Sequence, residues 1–188
     1  MFFEFNQTAK ITGINPRAEL HGEDPKPACD IIFEASMANT VLNRFAPGLL
    51  DAIYKQDENP DLVDQVEEAQ GLRVLRFPGM SAFKWEFQGT GYKLTVDYGL
   101  GDDESNIKLG DITIDKFKLE PQQGGSVLVR WRTVAHPTEK DIGKLYGLIQ
   151  RDVDLVLTPP EPKTVGELFG DAPKAPAEAE EEAEEEAA

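Results

Sequence analysis

The residues of this chain best placed to do chemistry lie on two β-prone runs within 107–134. Lys116 and Lys118 flank Phe117 on the first run, and Arg130 and Arg132 flank Trp131 on the second. Pro121-Gln122-Gln123-Gly124-Gly125 joins the two runs and is a turn by composition. A period of two sends alternate side chains to opposite faces of a strand. If the turn aligns like with like, one face collects Phe117, Leu119, Val127, Val129 and Trp131, and the other collects the four cations. Cations at that spacing suit a polyanion backbone, and single-stranded DNA is the expected ligand. Lys84 and Lys93, on the pair of strands that precedes, complete the candidate set. The competing reading is a solvated face whose cations pair across strands with Asp111, Asp115, Glu120, Glu86 or Asp97 for modest gain.

The aromatics that would stack bases are in the wrong register for that task. Trp85, Trp131, Tyr92 and Tyr98 share the apolar parity, so we expect them in the core. No catalytic motif accompanies the cations. His21 and His136 each lie beside a turn with no evident partner, and phosphate loops, paired cysteines and metal-spaced histidines are missing. We expect no enzyme, no cofactor and no metal. Asp102-Asp103-Glu104 reads as an acidic turn, because it lacks the spaced oxygen ligands and the glycine of a calcium loop. Cys29 is the only cysteine, which suits a reducing compartment, and its apolar register makes it a buried thiol.

These residues need strands to position them, and the rest of the sequence supplies strands. Phe3, Phe5, Ala9 and Ile11 share a parity that Gly13 and Pro16 interrupt, and Cys29 to Met37 alternates as a second, antiparallel strand after a turn over His21–Pro27. Val41, Leu42, Phe45, Leu49, Leu50 and Ile53 fall at helical spacing, with a restart at Pro47. Residues 55–71 form an acidic loop with a short helix expected around Leu62 to Ala69. Residues 72–77 are a short strand. Phe83-Trp85-Phe87 and Tyr92-Leu94-Val96-Tyr98 read as a hairpin turned by Gly89-Thr90-Gly91. In the run before the central turn, Leu109, Ile112, Ile114 and Phe117 break parity twice, which implies β-bulges in a sheet that curls. Thr138, with Asp141 three residues on, caps a helix with Ile142, Leu145, Tyr146 and Ile149 on its apolar stripe, and Val153, Leu155 and Leu157 form a last strand. The expected class is mainly β with a minor α+β component. It is an antiparallel barrel (OB-like in one form) or a sandwich, with about seven strands and two short helices.

The expected organisation is a β-rich domain over residues 1–160, a linker over 161–171 and a disordered acidic tail over 172–188. The tail holds seven Glu against one Lys, within a chain whose net charge is −16. The body is therefore still acidic, and long-range repulsion opposes a general duplex-DNA coat; any nucleic-acid site must be a confined strip. The start, Met-Phe-Phe-Glu, has no basic region before an apolar segment, and no run reaches membrane-span length. The cytoplasm is expected, a bacterial host's if a phage encodes the chain.

The layout of β domain, Pro-rich linker and Glu-rich terminus resembles bacterial and phage single-stranded-DNA-binding proteins. That resemblance implies a tail that recruits replication or recombination proteins and competes for the DNA groove. This chain departs from the pattern by ending Glu186-Ala187-Ala188, without the apolar tip that docks partners. Val165, Leu168 and Phe169, on one side of a single helical turn, are the expected substitute, the alternative being that they staple the linker to the domain. Ala28-Cys29-Asp30-Ile31-Ile32, Gly91-Tyr92, Gly124-Gly125 and Ala135-His136-Pro137 also resemble small β-rich phage proteins of unassigned role found near recombination genes. Two functions of different class follow. One is a phage-type single-stranded-DNA-binding or recombination and replication accessory protein using the basic face. The other is a non-enzymatic acidic interaction module, such as an inhibitor that mimics nucleic acid.

Overall fold

A computed structural model describes residues 3–21, 24–56, 72–99, 101 and 104–161. The alternating runs become strands β1 (Phe5–His21), β2 (Asp24–Ala38), β3 (Tyr54–Gln56), β4 (Leu72–Leu75), β5 (Phe83–Trp85), β6 (Gly89–Val96), β7 (Ile107–Gln122), β8 (Ser126–Ala135) and β9 (Asp152–Thr158). Among the described residues the α-helices are α1 (Leu42–Phe45), α2 (Leu49–Ile53) and α3 (Glu139–Gly147). The helix breaks at Pro47 as expected but restarts at Leu49 rather than at the proline, with Gly48 in the left-handed region as the N-cap of α2. Thr138 caps α3 through the backbone amide of Asp141 at 3.3 Å.

All ladders are antiparallel, and six strands pair in the cycle β1-β2-β8-β7-β6-β9 and back to β1. The fold is thus mainly β, and the ring of pairings closes as a barrel does. Within the ring, β6, β7 and β8 follow one another and β9 returns beside β6, which is Greek-key order. Closure removes the exposed edges that an open sheet would leave. The interior holds Phe3, Phe5, Phe33, Phe117 and Trp131 in ring contact, with centroids 4.9 to 6.4 Å apart. Leu145 of α3 and Leu42 and Phe45 of α1 join that core. A small second sheet, β3-β4, is tied to the β7–β8 turn by the Tyr54 hydroxyl, which donates to the Gln122 and Ser126 carbonyls.

The two parity breaks in β7 are bulges. Register shifts fall between the partners of Leu109 and Ile112 and between Asp115 and Lys118, and the residues with positive φ there are Asp111 (50°) and Lys116 (53°). Each bulge returns the apolar parity inward, so Leu109, Ile112, Ile114, Phe117 and Leu119 are all buried.

Two local expectations need correction. The His21–Pro27 turn is shorter than its composition implied, because β2 begins at Asp24 and pairs back to His21. Phe83–Trp85 and Gly89–Val96 do not form a hairpin. Phe83 to Trp85 runs antiparallel to Leu119 to Phe117, and Gly89 to Val96 runs antiparallel to Ile114 to Ile107. They are one strand path along one edge of β7, interrupted at residues 86–88. Gly89 makes no hairpin turn; a Cβ there would sit 2.4 Å from Cε2 of Tyr92, so the position is bare to admit that ring. The expected helix around Leu62 to Ala69, the Asp102-Asp103 pair, the linker residues Val165, Leu168 and Phe169, and the tail lie outside the described residues.

Candidate nucleic-acid interface

The second β7 bulge creates the site. Lys116 and Phe117 together stand opposite Trp131 of β8, while on the other edge β7 changes partner from β6 to β5. A bulge bends its strand and re-aims side chains, and here the neighbouring strand path is broken at the same level. The result is a cleft of about 570 Å³. Its walls include the half-buried Trp85 and Phe87 together with Phe117, while Lys84, Lys116 and Lys118 approach from the exposed side. Arg130, Arg132 and Asp30 continue the wall on β8 and β2.

The central hairpin has the alignment on which the cationic face depended. Gln122 pairs with Ser126, Leu119 with Val129, and Lys118 with Arg130. On the far edge, Lys84 pairs with Lys118. Lys84, Lys118 and Arg130 therefore form a row across three strands, all exposed. Among the described residues, Lys84, Lys116, Lys118 and Arg130 have no ion pair and no side-chain hydrogen bond. Like charges directly opposite each other disfavour a sheet, by roughly 0.2–1 kcal/mol per pair.

Arg132 differs. Its Nε and Nη2 donate to both Asp115 oxygens at 2.7 and 2.5 Å, and its Nη1 donates to Asp30 at 3.0 Å. The Asp115 hydrogen bond, set against some desolvation, holds the guanidinium above its ordinary range. Asp30 also accepts from Arg17 at 3.0 Å, Arg17 meets Glu19 at 2.7 Å, and Glu19 meets His136 at 3.2 Å. His136 thus has a partner that its sequence neighbourhood did not show. This chain of charges braces β7, β8, β2 and β1, and Arg132 serves the brace. Asp115 was rightly among the acids available for pairing; the other cations of the face stay unpaired.

Lys93 is not part of the cleft. It lies exposed on β6, paired in register with Thr158 and beside the first bulge. Of the aromatics expected in the core, Trp131 and Tyr92 are there, at 0% and 1% exposure. Trp85 is a correction: it leans on Phe45 with ring centroids 6.1 Å apart but stays half-buried on the cleft wall. Phe87, 5.7 Å from Phe117, is likewise half-buried. Both keep the apolar parity, but β5 is an edge strand three residues long, so its inner face is covered on one side only. The brevity of the Phe83-Trp85-Phe87 run was the one sequence signal for this.

Tyr98 is also half-buried and lies under the Lys144 ammonium, 5.2 Å from the ring centroid. A smaller cavity, about 340 Å³, is lined by Asn6, Asp97, Asn106 and Asp154 on another wall. Its carboxylates are engaged: Asp97 accepts from the Gly99 amide at 2.8 Å and Asp154 from Thr8 at 2.6 Å. Among the described residues, no cluster of His, Cys, Asp and Glu could hold a metal, and no helix is long and apolar enough to cross a membrane.

Comparison of the chain with protein-family models, curated proteins and solved structures finds no match in any of the three. The functional reading therefore stands on the geometry of the cleft.

Proposed function

We propose that this chain binds single-stranded DNA at the cleft over the second β7 bulge, without enzymatic activity, as an accessory protein of phage-type replication or recombination. The observation that carries the reading is the row Lys84–Lys118–Arg130. Two consecutive like-charge pairs, whose cations form no ion pair among the described residues, flank a cleft with aromatic walls. A sheet that tolerates this repulsion in the free state gains when a polyanion neutralises it. A duplex is disfavoured because the net charge is −16 and the cationic zone is confined to one cleft. Lys116 extends the row at the bulge, and Arg132 keeps the wall in shape.

The Glu-rich stretch from Ala172 acts in this reading as a competing polyanion, and Val165, Leu168 and Phe169 as an apolar contact for a protein partner. The test is a titration of fluorescent single-stranded and duplex oligonucleotides at two salt concentrations. Wild type is compared with Lys118→Ala/Arg130→Ala and with a chain ending at Asp171. The double variant should bind more weakly, and its salt slope should flatten by about 0.7 per lost contact. The shortened chain should bind more tightly. Equal affinity of the double variant and wild type, or no affinity in the shortened chain at low salt, overturns the reading and leaves the acidic interaction module in front.

A further inference from the structure

We infer that the cleft takes a short stretch of single strand, no more than about three nucleotides, with one base stacked on Trp85. The inference rests on the single-strand reading above and adds the site's size and its base contact. The size follows from where the unpaired cations stop. Neighbouring strands are about 4.8 Å apart, so a row across β5, β7 and β8 spans roughly 10 Å. At a rise of about 3.4 Å per nucleotide that length meets roughly three phosphates, and fewer on a stretched strand. Carboxylates bound the row. Glu34 stands opposite Arg130 on β2, Glu120 follows Lys118 on the same face of β7, and Glu86 lines the cleft beyond Lys84. Past Glu34, Lys10 is paired in register with Asp152. A strand running further round the barrel would meet alternating charge, not a continuous track.

The base contact follows from the aromatics. Trp85 stands opposite Phe117 with the inward parity, the reverse of that of Lys84 and Lys118, and it reaches the same cleft as those cations where the strand path breaks. It is half-buried, while Trp131 has no exposed surface. An aromatic surface beside phosphate-spaced cations accepts any base, because every base has a π-face.

The chain contains two tryptophans, so emission reports the contact directly. The full chain is titrated with oligothymidylates of roughly three, six and twelve nucleotides, and with an abasic strand of equal phosphate number. Affinity should level off near the shortest length, tryptophan emission should quench, and the abasic strand should bind about tenfold more weakly without quenching. Trp85→Phe, which keeps an aromatic against Phe45, should fold normally and lose the quench, leaving only the buried Trp131 signal. Affinity that keeps climbing to the longest strand overturns the size. Equal binding of the abasic strand, or a quench that survives in Trp85→Phe, overturns the stacking while leaving backbone binding in place. Failure of every strand to bind overturns the single-strand reading itself.

Discussion

Trp131 shows how one side chain can hold several elements. Its ring touches Phe3, Phe5 and Phe33, with centroids 5.1 to 5.5 Å away, so it ties the start of the chain to β2. Its Nε1 is buried with no hydrogen-bond partner among the described residues. Trp131→Ala should cost about 3–5 kcal/mol through lost contacts and the cavity left behind. Trp131→Phe should cost less than about 1.5 kcal/mol, because it also removes an orphaned donor. Denaturant midpoints of the two variants check both figures; equal losses would mean the indole nitrogen has a partner. Cys29 is a second test at this scale. It is fully buried, and burial, reinforced by the Asp30 carboxylate, raises its thiol above the ordinary value of 9.0. A raised thiol value means less thiolate at pH 8 than a free cysteine would show. Alkylation of the native chain should therefore wait on opening of the fold, and labelling should accelerate sharply across the denaturant transition.

At the scale of elements, bulges and interruptions decide where the chemistry is. The β5–β6 path and β7 break at the same level, and the cleft occupies that break. The parity of β7 announced both bulges, because inward positions must be apolar and only an extra residue restores the phase. The hairpin expected at Gly89 had no such support. Glycine permits a turn, but it also permits a close approach, and only the packed Tyr92 ring distinguishes the two. Gly89→Ala should therefore behave as an overpacking change. Its Cβ would lie 2.4 Å from the Tyr92 ring, whose hydroxyl accepts from the Phe3 amide at 3.2 Å. A loss of about 1–3 kcal/mol is expected, read from a urea midpoint. A neutral result would show that Tyr92 can swing aside.

For the whole molecule, the closed ring makes the first and last strands interdependent. Phe5 pairs with Leu157 and Lys10 with Asp152, so β9 seals the barrel against β1. Ending the chain at Arg151 should abolish the cooperative thermal transition, since it opens two strand edges and strips Val153, Leu155 and Leu157 from the core. Ending it at Asp171 should leave the midpoint nearly unchanged, because beyond that point the apolar side chains are those of alanine and proline alone. Sequence by itself determined the mainly β class, the inward parity of the central hairpin, the bulges of β7, the α3 cap and the burial of Trp131. All of these follow from local periodicity and from the energy of keeping apolar side chains out of water. Only the tertiary structure decided that β5 and β6 share one edge of β7, that Arg132 is held by Asp115 and Asp30 while Lys118 and Arg130 are not, and that Trp85 stands on a cleft. Those outcomes depend on which strands become neighbours around the ring. Arg132 and Asp30 are brought into contact by the β2–β8 ladder across 102 residues of chain, a pairing that no local pattern encodes.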